Sequence, residues 1–201
     1  MIYVLCLDLS GADMEIYGRL YERASAERKK RADTYRRFGD KLRCLAAEAL
    51  LRKALGASEY RTETNEYGKP YIAGREDFFF SLSHSGNYAV IAWGDTEVGV
   101  DIQEHKPGTD VKAISDRFFT KDEEAYIDKE EDRFYEIWTK KESYLKYIGT
   151  GLHKDMRSFS VLGDHAEYSY HYLMINEKYS LSLCGADEEY TLEHLDVYHI
   201  V

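Results

Sequence analysis

The chain has 201 residues, a formal net charge of −10 and 32% charged side chains. That length supports one large domain or two small ones. No apolar run approaches the roughly 20 residues that cross a membrane, and an acidic chain is a poor match to a nucleic-acid-binding domain. Three widely separated cysteines, Cys6, Cys44 and Cys184, give neither a disulfide framework nor a zinc spacing. The expectation is a cytoplasmic protein with no membrane or nucleic-acid partner.

In chain order, residues 2–7 are apolar, lack a basic start and stop at Asp8, so they read as a buried strand and not a signal peptide. Residues 14–24 look helical. Ser25 as N-cap, with Glu27 in the first turn, predicts a second helix to about Phe38. Leu42, Leu45, Ala46, Ala49, Leu50 and Leu55 form the apolar stripe of a third helix, over 41–55, with Gly56 as its stop. Arginines and lysines crowd residues 19–53 while acids are sparse there. Charge alone leaves two readings open, a local anion site or a solvated helix face. Tyr67-Gly68-Lys69-Pro70 marks a turn before a short strand.

Residues 78–103 are the most informative stretch. An apolar run, Phe78 to Leu82, enters Ser83-His84-Ser85-Gly86, which reads as a polar turn. Residues 88–93 form a second strand and 97–103 a third. In the third, Val98, Val100 and Ile102 share one face while Gly99, Asp101 and Gln103 share the other. A helix is expected to end at Phe118. Thr120 and Glu123 fit a capping box, and a long helix covers 132–148. Beyond Ser158 the pattern alternates as strands do, at Phe159 and Val161, at Tyr168, Tyr170 and Tyr172, and at Tyr179, Leu181 and Leu183, with turn signals at Gly163-Asp164 and Asn176-Glu177. Helices plus strands in each half predict an α+β fold.

Three places carry chemistry. Asp101 and Gln103 lie two apart on one strand face. Glu142 and Lys146 lie one turn apart on one helix face. His84 sits in its turn between Ser83 and Ser85. Carboxylates of this kind can hold Mg²⁺ together with phosphate oxygens and waters, which suits chemistry at a phosphate ester or diphosphate. Each also has a plainer reading: Glu142 and Lys146 as a surface ion pair, His84 as a backbone-bonding turn residue, and Asp101 as a strand end.

Four segments then occur together in order: Ser83-His84-Ser85-Gly86, Gly99-Val100-Asp101-Ile102-Gln103, Phe118-Phe119-Thr120 with Glu123, and Trp138-Thr139-Lys140-Lys141-Glu142-Ser143-Tyr144-Leu145-Lys146. With Ser25-Ala26-Glu27-Arg28, Asn65-Glu66-Tyr67-Gly68-Lys69-Pro70, Gly149-Thr150-Gly151-Leu152 and Ser158-Phe159-Ser160-Val161, the chain resembles the 4′-phosphopantetheinyl transferases of the monomeric Sfp type. The resemblance is weakest after about Gly163. It implies transfer of 4′-phosphopantetheine from coenzyme A to a serine of an apo acyl-carrier or peptidyl-carrier protein, with release of adenosine 3′,5′-bisphosphate. It also implies two similar α+β halves, 1–96 and 97–201, related by a pseudo-twofold axis, with coenzyme A and Mg²⁺ in the cleft between them.

By position, the resemblance makes Asp101 and Glu142 ligands of Mg²⁺, with Glu142 also the base for the carrier serine. Lys146 would hold the diphosphate and assist the leaving phosphate, and Lys146 and His84 stand with Glu142 as the catalytic candidates. Ser83 and His84 would contact the phosphates of coenzyme A, and Arg28, Arg31, Arg43 and Lys69 its nucleotide end. Where the family pattern has Asp-x-Glu, this chain has Asp101-x-Gln103, a neutral amide oxygen that would touch the metal or a water on it. Glu104 points to the opposite strand face. Two other readings stand beside the transferase: a coenzyme A-binding protein without catalysis, and a Mg²⁺-dependent nucleotide phosphohydrolase.

Overall fold

The computed structural model describes residues 1–128, 130–163 and 165–200. Strand β1 (Ile2–Asp8) explains its own unbroken apolar run. Ile2, Val4 and Cys6 enter one core cluster and Leu5 and Leu7 another, so the strand is covered on both faces. Helix α1 (Met14–Arg23) is capped by Asp13, whose carboxylate accepts the N–H groups of Glu15 and Ile16. Ser25 caps α2 (Ala26–Thr34) through Arg28 N–H. That helix stops short of Phe38. The Thr34 hydroxyl donates to the Arg31 carbonyl at 2.7 Å, the acceptor Tyr35 N–H would need to continue the helix, and Tyr35 bonds Ala32 instead. Phe38 opens α3 (Phe38–Leu55), which Gly56 closes in the left-handed conformation.

A small hairpin, β2 (Thr62–Thr64) with β3 (Pro70–Ile72), precedes β4 (Phe79–Ser85) and β5 (Tyr88–Gly94). Ser83, His84 and Ser85 are therefore strand and not turn; only Gly86 and Asn87 lie between paired Ser85 and Tyr88. The physical reason is the alternation of Ser81, Ser83 and Ser85. Their hydroxyls accept the N–H groups of Val100, Ile102 and Glu104 at 3.1, 3.2 and 3.0 Å from β6 (Val98–Glu104). Side-chain oxygens thus satisfy donors on an edge of β6 that no backbone ladder covers among the described residues.

The three helices expected in the second half appear as α4 (Val111–Phe118), α5 (Lys121–Ile127) and α6 (Glu131–Ile148). Strands β7 (Ser169–Ile175), β8 (Tyr179–Gly185) and β9 (Tyr190–Asp196) complete two larger sheets, ordered β4-β5-β1-β9 and β6-β8-β7. β9, unforeseen from sequence although Tyr190, Leu192 and Glu193-His194-Leu195 alternate in part, runs parallel to β1, so the last strand crosses from the second half into the first half's sheet. The fold is α+β. The two sheets bury Val4, Val90, Val100, Ile102, Leu181 and Leu183 between them, α1 to α3 cover the outer face of one sheet, and α6 covers the other. Among the described residues no helix is long and apolar enough to cross a membrane.

The expected strand at Phe159 and Val161 is absent, because its backbone is committed elsewhere. Lys141 and Glu123, both fully buried, pair at 2.8 Å. Lys141 also donates to the carbonyls of Met156 and Phe159 at 2.7 Å, and Glu123 accepts Val161 N–H at 2.8 Å and Thr120 N–H at 2.8 Å. Burial pulls the Lys141 ammonium below its ordinary range, with the Glu123 charge opposing. Asp164, half of one expected turn, lies outside the described residues.

Candidate active site

Gly99 lets α6 lie directly on β6. A Cβ there would sit 1.9 Å from the Ser143 carbonyl and 2.6 Å from Tyr147 N. This close approach brings the polar face of β6 against the helix positions that carry Glu142 and Lys146. The Lys146 ammonium donates to Asp101 Oδ1 at 2.7 Å and to the Val100 carbonyl at 2.9 Å. Ser83 donates to the same Asp101 oxygen at 2.8 Å. The ion pair therefore joins Lys146 to Asp101 across two elements, not to Glu142 one turn away.

Glu142 has no hydrogen-bond or ion-pair partner among the described residues. Burial pushes its carboxyl above the ordinary range, the nearby Asp101 charge adds to this, and Lys146 opposes. Gln103 uses its amide N–H on the Glu104 carbonyl at 3.2 Å, which leaves its amide oxygen without a partner among the described residues. Glu104 points away, accepting the Tyr179 hydroxyl at 3.2 Å on the inter-sheet side. Among the described residues no group of three or more His, Cys, Asp or Glu gathers. Asp101 and Glu142 alone would thus leave a hard cation short of its six oxygens, a shell that phosphates and waters ordinarily complete.

The basic residues of the first half collect at the adjacent end of β4. Arg28, Arg31 and His84 line one small cavity with Tyr35, Asp40 and Cys44. A larger cavity of about 360 Å³ beside it is lined by Arg28, Arg31, Arg52 and Arg61, together with the buried Glu48. Glu48 accepts from the backbone and hydroxyl of Ser25 and from Arg52, so it anchors the start of α2 and with it Arg28. Arg43 donates to the Gly86 carbonyl and to Asp40 at 2.6 Å. His84 is exposed; partial desolvation and then the Arg43 charge lower its pKa from the ordinary imidazole value, and solvent screening softens that shift.

Lys69 stands apart from these cations. Its ammonium pairs with Glu97 and donates to the carbonyls of Tyr147 at 3.1 Å and Val98 at 3.3 Å. Asn65 holds the same loop, accepting Tyr67 and Lys69 N–H and donating to the Gly149 carbonyl at 3.0 Å. The loop is thereby tied to the C-terminal end of α6, where backbone carbonyls attract a cation. Sequence reading does not find the Ser83–Asp101 bond or the roles of Ser81, Ser85 and Asn65. The serine alternation is a signal of a shared face, but it does not name the partner strand.

The model of the 4′-phosphopantetheinyl transferase superfamily matches residues 97–194, the span that holds Asp101, Glu142 and Lys146. A 4′-phosphopantetheinyl transferase of Bacillus subtilis is 35% identical over 187 residues, which is 87% of this chain and 82% of that protein. The chain belongs to the 4′-phosphopantetheinyl transferase superfamily. The 4′-phosphopantetheinyl transferase Sfp of Bacillus subtilis strain 168 is 34% identical over 148 residues, 68% of this chain and 65% of its own length. The transferase gsp of Aneurinibacillus migulanus is 32% identical over 158 residues, 73% of this chain and 65% of its own length. The protein is thus an enzyme of phosphopantetheinyl transfer, and its mixed helix and sheet fold accords with that family.

Proposed function

We propose that the enzyme moves 4′-phosphopantetheine from coenzyme A to a serine of an apo acyl-carrier or peptidyl-carrier protein and releases adenosine 3′,5′-bisphosphate. The observation that carries this reading is Glu142, partly buried and without a hydrogen-bond or ion-pair partner among the described residues, beside an Asp101 already held by Lys146 and Ser83. A carboxylate whose proton affinity is raised by burial and a neighbouring like charge is a stronger base toward a serine proton. In the proposed step Glu142 receives the proton of the carrier serine, directly or through water. The serine oxygen bonds to the phosphorus that bears pantetheine, and the bridging oxygen of the diphosphate leaves with its electron pair on adenosine 3′,5′-bisphosphate.

Lys146 has three N–H groups and spends two on Asp101 and Val100, which leaves one for a diphosphate oxygen. Arg28, Arg31, Arg43 and His84 surround the space proposed for the phosphates at the nucleotide end. In this reading Lys69 fastens the 65–69 loop to α6. Mg²⁺ fits the donor set, since among the described residues Glu142 makes no ion pair and Asp101 and Gln103 each have an unbonded oxygen; Asp101 and Glu142 would hold it, with Gln103 directly or through water. Its chemistry there is neutralisation of diphosphate charge. We further propose a monomer whose two halves, 1–96 and 97–201, are related by a pseudo-twofold axis.

The test is mass analysis of an apo carrier incubated with enzyme, coenzyme A and Mg²⁺, across fatty-acid, polyketide and nonribosomal-peptide carriers. Gain of phosphopantetheine on a serine is the expected result. Coenzyme A bound without transfer to any carrier would mark a binding protein, and its cleavage without a carrier would mark a phosphohydrolase.

A further inference from the structure

Ser83 is placed by family position among the phosphate contacts, but its hydrogen bonds are already assigned. A hydroxyl has one proton to donate, and phosphate oxygens only accept. That proton goes to Asp101 Oδ1 at 2.8 Å, while the Ser83 oxygen accepts Ile102 N–H at 3.2 Å. Both residues are buried. Asp101 Oδ1 also receives Lys146, whereas Oδ2 has no donor among the described residues. Two donors on one oxygen fix the carboxylate's rotation and leave Oδ2 available to another partner.

We propose that Ser83 is a positioning residue that acts through Asp101, turning Oδ2 toward the cation, and that its hydroxyl does not bind phosphate. The inference rests on the cation reading above. Ser83 belongs to β4 and Asp101 to β6, so the bond spans the seam between the two larger sheets exactly where the carboxylate must be steady. Lys146 is a long side chain that can swing to a phosphate; Ser83 is short and held by a backbone donor. When Lys146 shifts its bonding, Ser83 still holds Asp101. Neighbouring Ser81 supplies the matching control: it accepts Val100 N–H at 3.1 Å in the same seam, and among the described residues it makes no hydrogen bond to a carboxylate.

The experiment compares Ser83→Ala, Ser83→Thr and Ser81→Ala with wild type in two measurements. One is the Mg²⁺ concentration for half-maximal transfer; the other is calorimetric affinity for coenzyme A without divalent cation. Ser83→Ala should raise the Mg²⁺ midpoint roughly tenfold, the scale of one hydrogen bond to a charged group, and leave cation-free coenzyme A affinity unchanged. Ser83→Thr should restore the midpoint, and Ser81→Ala should keep it. If Ser83→Ala does not fold, Ser83→Cys keeps the volume and weakens the donor, and should shift the midpoint in the same direction. Weaker cation-free coenzyme A binding with an unmoved midpoint would make Ser83 a phosphate contact and overturn the proposal. Equal midpoint shifts in Ser81→Ala and Ser83→Ala would reduce it to loosening of the seam. A wild-type enzyme that transfers without any divalent cation would instead overturn the cation reading itself.

Discussion

Lys146 is the ammonium that Asp101 is paired with, and Glu142 has only its longer-range field. Lys146→Ala should therefore lower turnover by roughly 10²–10³-fold, the range for losing one preorganised charge-stabilising donor, while thermal unfolding shifts far less. Turnover near wild type would make Lys146 an ordinary surface cation. His84 gives a pH prediction. Desolvation and then Arg43 hold its folded pKa below the unfolded value of about 6.5. The unfolded chain therefore takes up this proton first as pH falls. The contribution is fully present above about 6.5 and is lost as pH drops through that value toward the folded pKa. His84→Gln should flatten this part of the stability-versus-pH curve, followed by denaturant melts from roughly pH 5 to 7; an unchanged slope would clear His84. At this scale the residue types were legible in the sequence and their pairings were not. Spacing offers Lys146 to Glu142, one turn away, but only the approach of α6 to β6 decides that Asp101 receives it.

Elements carry that approach. Gly99→Ala would drive a methyl into the Ser143 carbonyl and Tyr147 N, both backbone atoms of α6. The helix must then move off β6, taking Glu142 and Lys146 with it. We expect a lower melting temperature and, in the folded fraction, a fall in kcat larger than in coenzyme A affinity, read from steady-state kinetics. Retained kcat with reduced stability alone would show that the helix position tolerates the shift. Periodicity revealed most helices and strands, because α3 and β1 write their burial into the sequence. It misread 83–85 as a turn, since serines there serve a neighbouring strand's donors and not a loop. It misread Phe159 and Val161 as a strand, since the Lys141–Glu123 pair, distant in sequence, takes their backbone groups.

For the whole molecule, the inter-sheet core joins the halves. Ile2, Val4, Cys6, Tyr88, Val90 and Ala92 are buried against Val98, Val100, Ile102, Leu181 and Leu183, and β9 pairs with β1. Residues 1–96 produced alone would expose that apolar face and leave one edge of β1 unpaired. They should bind a hydrophobic dye and melt without a cooperative transition; a cooperative, dye-silent melt would show an independent first half. The long reach of β9 is what sequence could not convey, because a seven-residue alternating strand does not name its partner.

Glu142 is the proposed proton acceptor and cation ligand in transfer to a carrier serine. A Mg²⁺ titration of phosphopantetheine transfer, run on wild type, Gln103→Glu and Glu142→Gln, addresses that role most directly. The Mg²⁺ midpoint should fall in Gln103→Glu, because a carboxylate replaces a neutral oxygen beside Asp101. Glu142→Gln should stay inactive at saturating Mg²⁺, since ligand and base are lost together. Full rescue of Glu142→Gln by added Mg²⁺ would contradict the base assignment and with it the proposed mechanism.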